Sequence, residues 1–301
     1  MADVSLTIEP GRFVALLGPS GCGKTTLLKM VNRLHEPTSG RILIDGADIE
    51  SFPAPALRRQ IGYVIQQTGL FPHMRVEENV AVVPSLLGWD KRRTSERIDE
   101  LLELVGLPPD DYRRRYPAQL SGGEQQRVGL ARALAAEPST MLMDEPFGAL
   151  DAITRTRLQG ELLQIHGRMG QTILFVTHDI EEAVRLADQI VVMREGRVCQ
   201  FDTPLRIVMQ PADDFVADLV GANDVLRRLS LIRVADVLQP VDIEARETIP
   251  AGADLRAALA QLMEQGTTSL AVVDDNMATV GSVNLGTIEQ ASKPAEPVAS
   301  G

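Results

Sequence analysis

Apolar residues fall along this chain in short runs separated by longer amphipathic stretches. The run Phe13-Val14-Ala15-Leu16-Leu17 does not alternate with polar residues, the pattern of a strand buried on both faces. Leu27, Leu28 and Val31 follow at helical spacing. Ile42-Leu43-Ile44 and Tyr63-Val64-Ile65 read as short strands. Ile98, Leu101, Leu102 and Val105, with charged residues between them, predict an amphipathic helix. Residues 127–136 make a further helical run, and Met141-Leu142-Met143 and Ile173-Leu174-Phe175-Val176 read as buried strands, the first stopped by Pro146. Strands alternating with helices predict an α/β fold, with a mainly parallel sheet covered by helices on both faces.

The pattern changes near Gly221-Ala222-Asn223. Beyond it, Leu255, Ala258, Leu259, Leu262 and Met263 predict one face of a helix, and residues 270–273 and 279–283 predict two short strands. The chain therefore divides into a large domain over 1–222, a small αβ module over 223–291, and a tail over 292–301 whose composition predicts disorder. It contains no internal repeat.

Composition narrows the possibilities. The 44% hydrophobic content is that of a globular protein, and every long apolar run is strand-sized, well short of a membrane span. The start of the chain lacks the basic-then-apolar pattern of a secretion signal, so none is expected. Cys22 and Cys199 are too few for a disulfide framework, which fits a reducing compartment. The net charge is −11, and residues 225–301 alone carry 6 basic and 10 acidic residues, so both parts are acidic. That weighs against a nucleic-acid partner.

The chemistry concentrates in a few places. The strand at 13–17 runs directly into Gly18-Pro19-Ser20-Gly21-Cys22-Gly23-Lys24-Thr25, followed by Thr26 and a helix. Strand, glycine-rich turn and helix is the context in which backbone N–H groups cradle a polyphosphate. Lys24 is placed to neutralise the β- and γ-phosphates, and the Thr25 hydroxyl to ligate Mg²⁺. Asp144 and Glu145 follow an apolar strand, where ligands of parallel sheets bind. An acidic pair there is often only a turn; beside a phosphate loop it points to Mg²⁺ held by Asp144 and a water polarised by Glu145. Gln66 and His178 carry little weight singly. Leu120-Ser121-Gly122-Gly123-Glu124-Gln125-Gln126 puts a Gly-Gly step at a helix start, a second turn suited to phosphate.

The phosphate loop, Gln66, residues 120–126, 141–145, Gly148-Ala149-Leu150-Asp151 and His178, in this order, resemble the ATP-binding subunit of ABC transporters over residues 1 to about 222. The resemblance implies a P-loop ATPase core with a helical subdomain. It implies two copies of the chain enclosing two ATP molecules head to tail, with Ser121, Gly122 and Gly123 of one copy facing the γ-phosphate held by Lys24 of the other. Asp151 would lie at the seam. Glu145 would activate the water, His178 would contact the γ-phosphate, and Gln66 would sense Mg²⁺ and the transmembrane permease subunits. Residues 69–74 look like the importer surface that receives a helix from those subunits. The implied location is the cytoplasm, at the inner face of the membrane, with a substrate-binding protein as an indirect partner.

Within the family, residues 66–73, 147–151 and 177–183 resemble the ATPases that import osmoprotectants such as glycine betaine, choline, carnitine or proline betaine. Residues 255–288 resemble a single CBS module. Such modules usually occur in pairs, so the two copies in a dimer are expected to pair with each other. The chain departs from the family in having only residues 1–12 before its first strand, with no aromatic among them to stack on adenine. ATP is therefore expected to bind less tightly than to a version extended upstream. The alternatives are an importer ATPase for another small solute and a soluble ABC ATPase of repair or translation. The single cassette and acidic surface weigh against the latter.

Overall fold

The computed structural model describes residues 1–66, 69–148, 150–240, 245, 247–274 and 276–292. The chain divides into two compact units, Met1–Val198 and Cys199–Gly301. The division comes earlier in the chain than the change of pattern near residue 222.

The first unit is built on a sheet. The sheet's strands are β1 (Phe13–Leu17), β4 (Ile61–Val64), β5 (Thr140–Asp144), β6 (Thr172–Val176), β7 (Gln189–Arg194) and β8 (Arg197–Asp202), in the order β4-β5-β6-β1-β7-β8, the last running past the division at Val198. Every residue of β1 is buried, because parallel neighbours flank it on both sides and the run of apolar side chains fills both faces. The pairs β4–β5 and β5–β6 are also parallel. A separate hairpin pairs β2 (Leu43–Ile44) with β3 (Ala47–Asp48), so the apolar residues at 42–44 contribute only a two-residue strand. Residues 1–12 form no strand, although the Ala2 amide donates to the Gly196 carbonyl at 2.9 Å.

The helices of this unit are α1 (Lys24–Val31), α2 (Ala54–Arg58), α3 (Val76–Leu86), α4 (Lys91–Leu104), α5 (Pro109–Tyr112), α6 (Gly122–Leu134), α7 (Ala152–Met169) and α8 (Ile180–Leu186). Ile98, Leu101, Leu102 and Val105 are buried, as their spacing predicts. Register fixes what matters for the site. Leu16 and Asp144 both pair with Val176, so the loops leaving β1, β5 and β6 emerge level with one another along one edge. Ligands of parallel sheets bind at that edge.

The second unit carries α9 (Pro204–Met209), α10 (Asp214–Val220), α11 (Val225–Leu229), β9 (Thr248–Pro250), α12 (Leu255–Gln265), β10 (Ser269–Val273), β11 (Thr279–Asn284) and α13 (Leu285–Ala291). Its three strands run in the order β11-β10-β9, with β10 antiparallel to β11 and parallel to β9. Leu255, Ala258, Leu262, Leu270, Val272, Val283 and Ile288 share one core. Met263 does not join the predicted face: it is 73% exposed, at the turn before α12 ends on Gly266 in a left-handed conformation. Of the predicted tail, residues 293–301 lie outside the described residues.

Candidate functional site

The Gly18–Thr25 loop leaves the buried end of β1. A Cβ on Gly18 would overlap the Met193 carbonyl oxygen and come within 2.8 Å of Cys22 Sγ, so only glycine lets the chain turn there. Gly23, at φ 108°, sits at the start of α1 and aims the first turn of the helix into the loop. Pro19, Ser20 and Gly21 are exposed, as is Thr26 on α1. Lys24 is 6% exposed, and its ammonium donates to the carbonyls of Gly18 at 2.6 Å and Pro19 at 3.0 Å. A buried ammonium held by two carbonyls and, at 3.7 Å, the Cys22 sulfur is well placed to take an anionic oxygen instead.

Two groups of predicted residues then meet. Thr25 Oγ1 donates to Asp144 Oδ1 at 3.0 Å. Glu145 Oε2 accepts from Gln66 Nε2 at 3.1 Å and lies 3.3 Å from His178 Nδ1. One carboxylate oxygen thus gathers residues from the ends of β4, β5 and β6. Glu145 itself has φ 46°, a left-handed conformation unusual for a residue with a side chain and characteristic of functional sites. Its amide donates to the Val176 carbonyl at 3.0 Å, which holds that turn against the strand preceding His178.

The electrostatics match. Burial pushes the Asp144 carboxyl pKa up, opposed by the Thr25 hydrogen bond and reinforced by the Glu145 charge. Nearby, burial and then the Asp144 charge push the Tyr63 hydroxyl to about 12. A carboxylate whose charge is disfavoured, beside a hydroxyl, is a donor pair suited to a hard cation. Thr25 and Asp144 therefore fit Mg²⁺. No group of three or more His, Cys, Asp or Glu suited to a metal occurs among the described residues, and Mg²⁺ at a phosphate site takes most of its ligands from phosphate and water.

Ser121, Gly122, Gly123 and Asp151 form a different group. With Arg127 and Ile153 they line a cavity of about 340 Å³ that none of residues 18–26 lines. Ser121 caps α6 by accepting from the Glu124 amide at 3.3 Å, and its own amide donates to Glu124 Oε2 at 2.7 Å. Tyr112 donates to Glu124 Oε1 at 2.6 Å. That bond and the Ser121 amide hold the Glu124 pKa down to about 2. Asp151 caps α7, accepting from the amides of Ile153 and Thr154 at 3.1 Å each. The hydrogen bond to Thr154 heads the causes that lower its pKa. Ile153 beside it is 84% exposed.

Sequence reasoning gave no role of their own to three residues, two of them inside its motifs. Gln126 donates from its side chain to the Pro146 carbonyl, tying α6 to the turn after Glu145. Arg155 and Glu182 meet behind the His178 loop. Glu182 follows His178 closely within the first turn of a helix, a signal that resembles ordinary helix capping.

Comparison with known proteins agrees with this geometry. Residues 1–148 match the family described as ABC transporter. The carnitine transport ATP-binding protein OpuCA of Listeria monocytogenes is 47% identical over 95% of this chain and 71% of its own length. The iron(III) import ATP-binding protein FbpC of Rhizobium etli is also 47% identical, over 74% of this chain and 62% of its own length. Among solved structures, a dimeric ATP-binding cassette in a post-hydrolysis state with ADP and Pi bound is 35% identical and superposes with a TM-score of 0.60, covering 67% of this chain and 89% of that one. Together, the match and the site geometry show that this chain belongs to the ATP-binding, ATP-hydrolysing subunits of ABC transporters.

Proposed function

We propose that this chain couples hydrolysis of Mg-ATP to import of a quaternary ammonium osmoprotectant such as carnitine, glycine betaine or choline. One observation carries the choice of solute. Identity is equally high to a carnitine and an iron importer, but the match to the carnitine protein spans 95% of the chain against 74% for the iron protein. The carnitine protein thus matches about a fifth more of the chain than the iron protein does. A solute of another class remains the second reading, favoured by the 47% identity to the iron importer.

In this reading the Gly18–Thr25 loop and Lys24 hold the phosphates. Thr25 and Asp144, with Gln66 nearby, would hold Mg²⁺, which would supply positive charge to offset that of the phosphates. Glu145 accepts the proton of the attacking water, and its bonds to Gln66 and His178 fix the oxygen that does so. His178 donates to the γ-phosphate. Ser121, Gly122 and Gly123 complete the site from a second copy, and Asp151 lies at the seam. Glu145→Gln is expected to lower ATP turnover by at least 10²-fold while ATP-bound dimers accumulate, measured by phosphate release and gel filtration. Normal turnover in that variant would remove the base from this scheme.

No helix among the described residues is long and apolar enough to cross a membrane; in this reading separate permease subunits form the path across it. A groove of about 310 Å³ lined by Tyr63, Ile65, Phe71, Val83 and Arg132 is where their helix would dock, at the inner face of the membrane. The buried Asn79 holds its rim, bonding the Phe71 amide at 2.8 Å and the Met74 carbonyl at 3.1 Å. In this reading residues 223–291 form a CBS-like module, and the modules of two copies pair in trans. Cross-linking of the ATP-bound dimer should join the two second units; links confined within each copy would refute that pairing. For the solute, the decisive test replaces the Listeria carnitine protein with this chain and follows labelled carnitine uptake under salt stress. Uptake supports the proposal; an expressed, active ATPase that restores iron uptake to an FbpC-deficient host but no carnitine uptake favours the second reading.

A further inference from the structure

Behind the His178 loop lies a polar cluster that the scheme above does not use. Glu182, on α8, is 7% exposed. Its Oε2 accepts from Thr177 Oγ1 at 2.7 Å, and its Oε1 accepts from the buried Gln159 Nε2 at 3.3 Å. Arg155, on α7, approaches the same Oε1 with Nε at 3.8 Å and Asp179 Oδ2 with Nη1 at 3.5 Å. Its Nη2 donates to the Leu150 carbonyl at 3.2 Å. The Asp179 amide donates to Thr177 Oγ1 at 3.0 Å, and Asp179 Oδ1 caps α8 by accepting from the Glu181 amide at 2.8 Å. Thr177 and Asp179, on either side of His178, are therefore held by Glu182 and Arg155 respectively, and Arg155, which also approaches Glu182, bonds the Leu150 carbonyl next to Asp151.

Physical arguments say this arrangement is specific. A carboxylate buried among packed helices is costly unless its oxygens are bonded, and here each oxygen has a protein donor. Burial pushes the Glu182 pKa up and the Thr177 hydrogen bond draws it back. Arg155 Nε is a buried donor without a hydrogen bond at its present distance from Glu182. A small shift of α7 toward α8 would make that bond, so the pair is set to respond to movement of the Leu150–Asp151 segment. His178, in contrast, is well exposed, and its own packing does little to fix it.

We propose that Glu182 is a positioning residue, which through Thr177 and Arg155 sets the His178 loop and the Leu150–Asp151 segment in register with each other. His178 can then meet the Glu145 carboxylate only when the Asp151 side of the site is in place. The proposal rests on the role of His178 given above. Geometry of this kind acts on the chemical step and leaves nucleotide binding by the Gly18–Thr25 loop alone.

Steady-state phosphate release and binding of a fluorescent ATP analogue test it. Glu182→Gln and Thr177→Val are each expected to lower kcat about 10- to 100-fold, with KM for ATP and analogue affinity within about twofold of the parent. Thr177→Ser, which keeps the hydroxyl, is expected to restore near-parental kcat. In a double-mutant cycle, Glu182→Gln added to His178→Ala is expected to cost nothing further, because the residue it positions is gone. Losses that multiply, a kcat unchanged in Glu182→Gln, or KM rising as kcat falls would each overturn the proposal. Full activity in His178→Ala alone would instead overturn the assigned role of His178. Analogue binding by Thr177→Val and rescue by Thr177→Ser separate positioning from failure to fold.

Discussion

Glu124 shows how much of this site's precision comes from single side chains. It bonds the Ser121 amide and the Tyr112 hydroxyl, and its pKa is held down to about 2 from an ordinary 4.5. A carboxyl depressed in the folded state stabilises the protein above its unfolded pKa, and that contribution fades as pH falls from about 4.5 toward 2. Tyr112→Phe removes the leading cause. It is expected to lower the melting temperature at pH 7 by an amount corresponding to roughly 1 kcal/mol or less, since the carboxylate is partly solvated. The gap between variant and parent should hold its pH 7 value at pH 5 and narrow as melting is repeated at pH 4, 3 and 2. A gap independent of pH would mean that Tyr112 acts by packing alone.

At the scale of elements, the strand–loop–helix of β1, Gly18–Thr25 and α1 was legible in the sequence, because its signals are local: an unbroken apolar run, glycines where the chain must turn, helical spacing after Lys24. The loop tolerates no side chain at its first turn. Gly18→Ala places a Cβ against the Met193 carbonyl in β7, in a conformation that L-residues rarely adopt. The variant is expected to lose about 2 kcal/mol or more of stability and most ATP affinity, read by melting and nucleotide titration. Other features escaped sequence reading for physical reasons. The meeting of Gln66, Glu145 and His178 depends on the register of three strands that are distant in sequence, which no periodicity encodes, so only the family resemblance reached it. Arg155 and Glu182 look like solvated helix charges until α7 and α8 are packed together. Met263 continues a helical stripe whose other members pack into the core, yet in the last turn of the helix it stays exposed.

The whole molecule divides the phosphate chemistry into two places, and that division makes the assembly testable. Lys24 lies in the loop leaving β1, whereas Ser121, Gly122 and Asp151 line another cavity. Under the proposed function, a single copy presents half of two sites. In a head-to-tail dimer each complete site takes its loop from one copy and its Ser121 turn from the other. Lys24→Ala disables the first half and Ser121→Arg the second, so homodimers of either variant contain no intact site. In a mixed dimer, one site combines the intact Lys24 loop with the intact Ser121 turn, and the other combines both lesions. With equal amounts exchanging freely, about half of the dimers are mixed and half of their sites are whole. Phosphate release is then expected to rise from background to about a quarter of the parental rate if the sites work independently. Activity that never exceeds the sum of the separate variants, in a mixture shown by mass to contain mixed dimers, would mean that each copy completes its own site or that both sites must be intact. Tethering two copies in one chain distinguishes these: with both lesions confined to one copy, a site completed within a copy retains half the activity, while a shared head-to-tail site loses all of it.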